Sequence, residues 1–206
     1  DLAHDIEVDV AHGLVRRLGL RPPAHARRLR RWAWRYELCT LGGFEMLRDG
    51  QSIEFSAKGP GRPLELLKVL VAYGGRHVRV DQLTDALWPH VDGDYAYKSF
   101  TATLHRLRRL LADDDALLLR EGRLSLNPAL FWVDAWAFDH LVAEVDACAD
   151  AVAPAAQLRA LAAELVALYR GSFLPDESDQ SAYLARREQL RARLLRALGH
   201  AWPADG

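Results

Sequence analysis

The chain has 206 residues, of which 50% are hydrophobic and 27% are charged. A chain of this size and composition folds as one ordinary domain or two small ones, which excludes disorder for most of it. Its 27 basic and 28 acidic residues give a net charge of -1, so the total charge does not decide whether the partner is a polyanion. No apolar run approaches the roughly 20 residues of a membrane-spanning helix. The acidic N-terminus also lacks the charge order of a signal peptide, so we expect a cytoplasmic protein.

The two cysteines, Cys39 and Cys148, lie far apart in the sequence and in apolar surroundings. They lack the CxxC or CxxH spacing that presents metal ligands together, so we expect reduced core thiols and no metal site. The sequence begins at Asp1 without an initiator methionine, and we expect it to be a piece of a longer protein.

Residues 16–35 are strongly basic, with eight arginines and no acidic residue. Pro22-Pro23 ends any helix before it, so residues 1–35 are interpreted as an N-terminal helix and a basic linker, the tail of an upstream domain. The run from Arg27 to Arg31 has two main interpretations: an arm that adds phosphate contacts, or the solvated edge of a helix of that upstream domain.

Between Tyr36 and Phe55 apolar residues tend to alternate, and Gly42-Gly43 and Asp49-Gly50 interrupt them where turns would fall. This pattern predicts antiparallel strands. The periodicity then becomes helical. We expect one helix from Pro63 to Gly74-Gly75, a second from Asp81 as N-cap to Trp88-Pro89, and a third from about Ala96 to Leu111.

A hairpin is predicted for residues 117–126, with its turn at Glu121-Gly122. Strands, three helices and a closing hairpin follow the order of a winged helix. From Trp132 onward the chain is helical and alanine-rich, with seven basic and eleven acidic residues. There, Asp134 is a candidate N-cap, Pro154 opens a helix that ends at Gly171, and Ser178 or Asp179 starts one that ends at Gly199.

The third helix carries a basic face. With Phe100 toward the core, the opposite face presents Lys98, Ala102, His105 and Arg109, with Arg106 beside them. Residues 97–111 contain four basic side chains and no acidic one. Such a face fits a DNA major groove, where arginine or lysine pairs with guanine and threonine or alanine meets a thymine methyl. The alternative is an ordinary solvated helix face.

Six short stretches together resemble a known family. LGGF at Leu41–Phe44, RPLELLKVL at Arg62–Leu70, LTDALWP at Leu83–Pro89 and TLHRLRRLL at Thr103–Leu111 resemble the OmpR-type winged-helix effector domain. WVDAWAF at Trp132–Phe138 and LYRGSFLP at Leu168–Pro175 resemble the start of a bacterial transcriptional activation domain. The two occur together in the Streptomyces antibiotic regulatory proteins and in large regulators related to MalT.

The resemblance implies an α+β winged helix-turn-helix with an N-terminal antiparallel sheet over residues 36–131, then an all-α, tetratricopeptide-like domain from residue 132 to 206. It implies a bacterial transcriptional activator that reads double-stranded DNA, with direct repeats as sites, and that recruits RNA polymerase. A homodimer on DNA and an upstream sensor domain or partner are further implied partners, and a membrane is not. On the matching helix, the residues that inherit the DNA-facing role are Lys98, Thr101, His105, Arg106 and Arg109.

The resemblance also implies roles outside that helix. Arg120 and Arg123 match the wing, although an ordinary solvated turn is the alternative. The loop from Pro89 to Lys98 matches the transactivation loop that meets RNA polymerase, and its Asp92 and Asp94 equally fit turn and N-cap roles. Arg62 precedes the first helix, where free N–H groups favour a phosphate, but it is equally interpreted as a loop charge.

Two features depart from the family: only about three helices follow residue 132, and neither a receiver nor a nucleotide-binding domain precedes residue 36. No HExxH, GxSxG or P-loop motif is present, so we expect binding without catalysis and no cofactor. The competing hypothesis is a winged helix that joins signalling proteins without reading DNA, which the 12 basic and 13 acidic residues of 36–131 keep open.

Overall fold

The computed structural model describes residues 2–18, 20, 22–23, 30, 32–53, 61–178 and 180–202. Across these residues the chain is a mixed α/β protein with seven α-helices and two small sheets of four and three strands. In chain order the elements are α1 (Leu2–Arg17), β1 (Tyr36–Cys39), β2 (Glu45–Arg48), β3 (Gln51–Ser52), α2 (Arg62–Ala72), β4 (Val78–Arg79), α3 (Val80–Leu87), α4 (Gly93–Leu111), β5 (Leu117–Arg120), β6 (Arg123–Leu126), β7 (Phe131–Val133), α5 (Asp134–Asp150), α6 (Ala155–Leu168) and α7 (Ser181–Ala201).

Contacts within the chain divide it into two compact units. The first unit comprises residues 1–53, 129–175 and 190–206, and the second comprises residues 54–128 and 176–189. These units interleave along the sequence, whereas the predicted division into 1–35, 36–131 and 132–206 follows chain order. The difference arises because β1 pairs with β7, so strands on either side of the second unit's main segment share one sheet.

The sheet of the first unit has the strand order β3-β2-β1-β7. β1 to β3 pair antiparallel as predicted, and β7 adds in parallel to β1, with Tyr36 opposite Phe131 and Leu38 opposite Val133. Parallel neighbours need a long connection between them, which here contains the helices and hairpin of residues 61–126. The buried rings of Tyr36 and Phe131 stack with centroids 4.7 Å apart, which joins the two strands side chain to side chain.

α5 follows β7 directly, and its N-cap is Val133, so the prediction that Asp134 caps this helix is wrong. Asp134 is instead the first helical residue, and its buried carboxylate accepts hydrogen bonds from the Thr40 amide at 2.6 Å, the Thr40 hydroxyl at 2.6 Å and the Leu41 amide at 2.8 Å. The side chain faces the end of β1 because β7 lies beside that strand. Asp134 therefore fixes the start of α5 to the end of β1.

The later helices begin and end at residues other than those predicted. α6 starts after Pro154 as expected but ends at Leu168, before Gly171. α7 starts at Ser181, because its first intrahelical bonds run to the Gln180 carbonyl; Ser178 lies outside the helix, and Asp179 lies outside the described residues. Gly199 does not end α7, which continues to Ala201.

The second unit contains α2, α3 and α4 with a three-stranded sheet of order β4-β6-β5. α2 and α4 bury apolar side chains at helical spacing, each of which contributes about 1.5–3 kcal/mol on removal from water; these include Leu66, Leu67, Leu70, Phe100, Leu104 and Leu107. The hairpin turns at Glu121-Gly122 as predicted. Both turn residues have positive φ, 49° and 69°, the conformation of the tight turns that match strand twist.

Two predicted helix starts in this unit are wrong. α3 begins at Val80 with Arg79 in the N-cap position, so Asp81 lies inside the first turn and is not the cap. The Val80 amide donates to the Gly122 carbonyl at 2.9 Å, so the pairing of β4 with β6 fixes where the helix begins. α4 begins at Gly93, three residues before the predicted start, because Asp92 caps it and accepts from the Asp94 amide at 3.1 Å.

At the N-terminus, α1 ends at Arg17, before Pro22-Pro23, as the sequence predicts. Of the predicted arginine run, Arg30 is described, and its Nε donates to Glu37 at 2.6 Å. Arg27, Arg28 and Arg31 lie outside the described residues.

Candidate nucleic-acid interface

The outer face of α4 has the composition that its spacing predicts. Ala96, Phe100, Thr103, Leu104, Leu107 and Leu111 are buried. The five predicted face residues are all exposed: Lys98, Thr101, His105, Arg106 and Arg109. Because α4 is continuous over 19 residues, one uninterrupted helix holds all five side chains.

Local contacts decide which of the helix's basic residues remain available. Arg108 is not one of them, because its Nη2 donates to the Leu117 carbonyl at 2.9 Å and ties α4 to β5. The Thr101 hydroxyl donates to the Tyr97 carbonyl at 3.0 Å, so this hydroxyl is already engaged by the helix backbone. The Lys98 ammonium lies 5.4 Å from the centre of the Tyr95 ring. Within the described residues, Arg106 and Arg109 form no ion pair.

The predicted RNA polymerase loop is shorter than expected. Residues 93–98 belong to α4, so only the residues between Leu87 and Gly93 connect the two helices. Asp92 is the N-cap and Asp94 lies in the first turn, where an acidic side chain interacts favourably with the positive end of the helix dipole and stabilises the helix. Both residues are exposed. Two exposed aromatic side chains that the sequence analysis did not single out, Tyr95 at 67% and Tyr97 at 55%, lie beside them.

The two hairpin arginines face each other. Arg120 and Arg123 are opposite partners across the Glu121-Gly122 turn, and both are exposed. Arg123 also donates from Nη1 to the His77 carbonyl at 3.0 Å. The hairpin therefore presents two guanidinium groups from one end of the sheet.

Arg62 is the first residue of α2 and is held by its neighbours. Its Nη1 donates to Glu65 Oε2 at 3.0 Å and to the Leu87 carbonyl at 3.0 Å. The guanidinium also lies 5.9 Å from the centre of the Trp88 ring. Its side chain is 53% exposed, so it remains on the surface but joins α2 to the end of α3.

Two surface clefts surround the exposed face of α4. One, of about 350 Å³, is lined by Pro63, Arg106, Arg109 and Leu110, so it brings the start of α2 next to the two arginines. The other is a groove of about 520 Å³ whose charged and aromatic lining comes from β4, α3, α4 and the hairpin: Arg79, Asp81, Asp85, Tyr97, Glu121 and Arg123. Arg79 was not among the predicted site residues, since only the strand register places it beside the hairpin.

The remaining predictions concern chemistry other than nucleic-acid binding. Both cysteines are free, Cys39 buried and Cys148 partly buried, and burial raises the pKa of the Cys39 thiol. In the described part of the chain, no group of three His, Cys, Asp or Glu side chains is arranged to hold a metal ion. No helix among the described residues is long and apolar enough to span a bilayer.

Comparison with known proteins gives a likeness of fold. No family model and no curated protein matches the chain. Among solved structures it is similar to Mycobacterium tuberculosis EmbR in complex with a low affinity phosphopeptide, with a TM-score of 0.62 and 24% identity. The match covers 80% of this chain but only 44% of the EmbR chain. At the level of the fold, this likeness agrees with the resemblance to the antibiotic regulatory proteins.

Proposed function

We propose that the chain is the DNA-binding output module of a bacterial transcriptional activator. The observation that carries the proposal is the uninterrupted exposed face of Lys98, Thr101, His105, Arg106 and Arg109 on α4. Three helices followed by a hairpin, with β4 as its third strand, is the order of a winged helix-turn-helix. The fold likeness to EmbR supports the same assignment.

In this proposal α4 enters the major groove. Lys98, Arg106 and Arg109 are long enough to donate to guanine O6 and N7, and the methyl of Thr101 can contact a thymine methyl. Arg120 and Arg123 contact a phosphate or the minor groove beside the helix, and Arg62 contacts a flanking phosphate. His105 adds a further hydrogen-bonding group on the same face. The function is binding without catalysis, and no cofactor takes part.

The wider assembly follows from the family resemblance. The residues from Pro89 to Lys98, with Asp92 and Asp94, and the helical part from residue 132 to 206 present a surface to RNA polymerase. Two copies bind a direct repeat as a homodimer on DNA, in the cytoplasm. An upstream sensor domain or a partner protein supplies the signal.

The first test selects bound fragments from a random duplex library and then measures affinity for the enriched site. Arg109→Ala and Lys98→Ala are expected to lose about 1–3 kcal/mol each on that site and to relax the preference at one base. Arg159→Ala is the matched control, because Arg159 is an exposed arginine on α6, outside the proposed interface. If neither face variant differs from the Arg159 variant, the assignment of α4 is wrong.

The second candidate function is a protein-interaction module with a winged helix that does not read DNA. The near-zero net charge of residues 36–131, with 12 basic and 13 acidic residues, supports this candidate because many DNA-binding domains are strongly basic. Salt separates the two functions, because each phosphate neutralised makes log affinity fall with log salt, whereas an apolar protein contact responds weakly. No enriched site and no salt dependence would favour the interaction module.

A further inference from the structure

Three arginines stand in register across the sheet of the second unit. Arg79 on β4 is the backbone partner of Arg123 on β6, and Arg123 is the partner of Arg120 on β5. Neighbouring strands lie about 4.8 Å apart, and directly opposite residues present their side chains on the same face of the sheet. We call Arg79, Arg123 and Arg120 the arginine row.

Like charges opposite each other destabilise a sheet, so a bound anion or a polyanionic partner would stabilise such a row. All three side chains are exposed. Arg120 forms no ion pair within the described residues, and Arg123 is directed by the His77 carbonyl at 3.0 Å. Among the described residues, Arg79 is the one member of the row that is paired with a carboxylate.

That carboxylate belongs to Asp81. Arg79 Nε donates to Asp81 Oδ1 at 3.0 Å, and Arg79 Nη2 contacts Oδ2, so the pair is bidentate. This is also the geometry in which a guanidinium binds a phosphate. The pair lies on the surface, with the side chains of Arg79 and Asp81 61% and 54% exposed. Both residues line the 520 Å³ groove, together with Arg123 of β6 and Tyr97 of α4.

We propose that Arg79 is a further phosphate-binding residue of the DNA interface, and that Asp81 competes with DNA phosphate for it. This inference rests on the proposed function. Arg79 extends the predicted two-arginine hairpin contact by one strand toward α3. Asp81 occupies its guanidinium in the free protein, and a phosphate must displace that carboxylate before the third arginine contributes to affinity.

The test uses a duplex of scrambled sequence, since base contacts then add nothing and the phosphate contacts carry the affinity. Asp81→Asn removes the competing charge while keeping an oxygen that can accept from the Gln82 amide, as Asp81 does at 2.9 Å. The affinity of the Asp81→Asn variant for this duplex is expected to be about eightfold higher than that of the unmodified chain at about 0.1 M salt, and equal to it near 1 M. The reason is that one additional phosphate contact adds about -0.9 to the slope of log affinity against log salt.

Two further variants assign the gain to Arg79. Asp114→Asn is the matched control, because Asp114 is an exposed acid of the same unit that does not line the groove. It removes the same charge and is expected to change affinity less than twofold. Arg79→Gln in the Asp81→Asn background is expected to abolish the gain and return the salt slope to that of the unmodified chain.

The outcomes separate the inference from the function on which it rests. If the unmodified chain binds duplex DNA but Asp81→Asn resembles Asp114→Asn, or if the gain survives Arg79→Gln, Arg79 is not a phosphate contact and the inference fails alone. If the unmodified chain and all variants bind no duplex at any salt concentration, the proposed function and the inference fail together. Circular dichroism of each variant verifies that loss of binding does not come from loss of the fold.

Discussion

Replacing Asp134 by asparagine tests what joins α5 to the sheet of the first unit. Asp134 is 1% exposed, and its two oxygens accept four hydrogen bonds. Oδ2 accepts from the amides of Thr40 and Leu41, and Oδ1 accepts from the Thr40 hydroxyl at 2.6 Å and the Ala135 amide at 2.8 Å. Burial raises the pKa of this carboxyl, against the effect of the four donors.

The size of the effect follows from the donors that asparagine cannot satisfy. Its amide has one acceptor oxygen, so one pair of donors would face an NH₂ group instead of an oxygen. Two hydrogen bonds to a charged group contribute about 3–6 kcal/mol together, and the smaller desolvation cost of a neutral side chain offsets part of that loss. We expect Asp134→Asn to lower the free energy of unfolding by about 3 kcal/mol.

Urea unfolding followed by tryptophan fluorescence measures this loss, because Trp132 and Trp136 are buried beside the site. Thr40→Val is the graded control. It deletes the hydroxyl donor and leaves both amides bound, so its cost should be about 1.5 kcal/mol, half that of the asparagine variant. An Asp134→Asn variant within 0.5 kcal/mol of the unmodified chain would refute the claim that this carboxylate holds β1 to α5.

Three other predictions follow from single residues. Gly42→Ala should lower the free energy of unfolding in urea by about 2 kcal/mol, and Gly50→Ala by about 1 kcal/mol. Both glycines have positive φ, but a Cβ at Gly42 would also lie 3.0 Å from the Arg170 backbone, whereas a Cβ at Gly50 would meet nothing within 4 Å. Equal costs for the two variants would contradict this close approach. Tyr183→Phe should flatten the loss of stability above pH 10. Burial raises the pKa of the Tyr183 phenol, so the unfolded chain loses this proton at a lower pH than the folded chain, and the free energy of unfolding falls by about 1.4 kcal/mol per pH unit. Equal pH slopes for the variant and the unmodified chain would contradict this effect. Glu121→Asn should raise the thermal midpoint by stabilising a φ of 49° that asparagine tolerates better, and an unchanged or lower midpoint would argue against strain at the turn.

Local patterns in the sequence predicted the elements that depend on neighbours in the chain. The apolar spacing of α4 predicted its buried and exposed faces, since a helix repeats every 3.6 residues whatever packs against it. Glu121-Gly122 predicted the hairpin turn because few residues other than glycine adopt positive φ readily. Asp92-Gly93-Asp94 predicts a loop because glycine and aspartate are poor helix formers, but α4 begins at Gly93 because the Asp92 cap outweighs that preference.

Contacts between distant segments could not be read in this way. The parallel pairing of β7 with β1 joins residues 131–133 to residues 36–38, and nothing in either short strand specifies its neighbour. For the same reason Asp134 was interpreted as a helix cap, although its acceptors serve the end of β1. Arg79 was missed because its place beside Arg123 is a matter of strand register.

The proposed DNA binding predicts a salt dependence that is set by which cations already have a partner in the free protein. Lys98, Arg106, Arg109 and Arg120 form no ion pair within the described residues, whereas Glu65 binds Arg62 and Asp81 binds Arg79. On a scrambled duplex, where the first four of these side chains contact phosphates instead of reading bases, four contacts predict a slope of log affinity against log salt of about -3.6. Recruitment of Arg62, Arg79 and Arg123 as well would steepen the slope to about -6.3. The net charge of residues 36–131 predicts neither slope, because its 12 basic and 13 acidic residues cancel in the sum while individual arginines on the surface still differ in whether they have an acidic partner. A slope measured on scrambled duplex between about 0.1 and 0.5 M salt therefore reports how many of these arginines exchange their contacts within the protein for a DNA phosphate. A slope near zero would contradict a phosphate-binding surface on α4 and the hairpin.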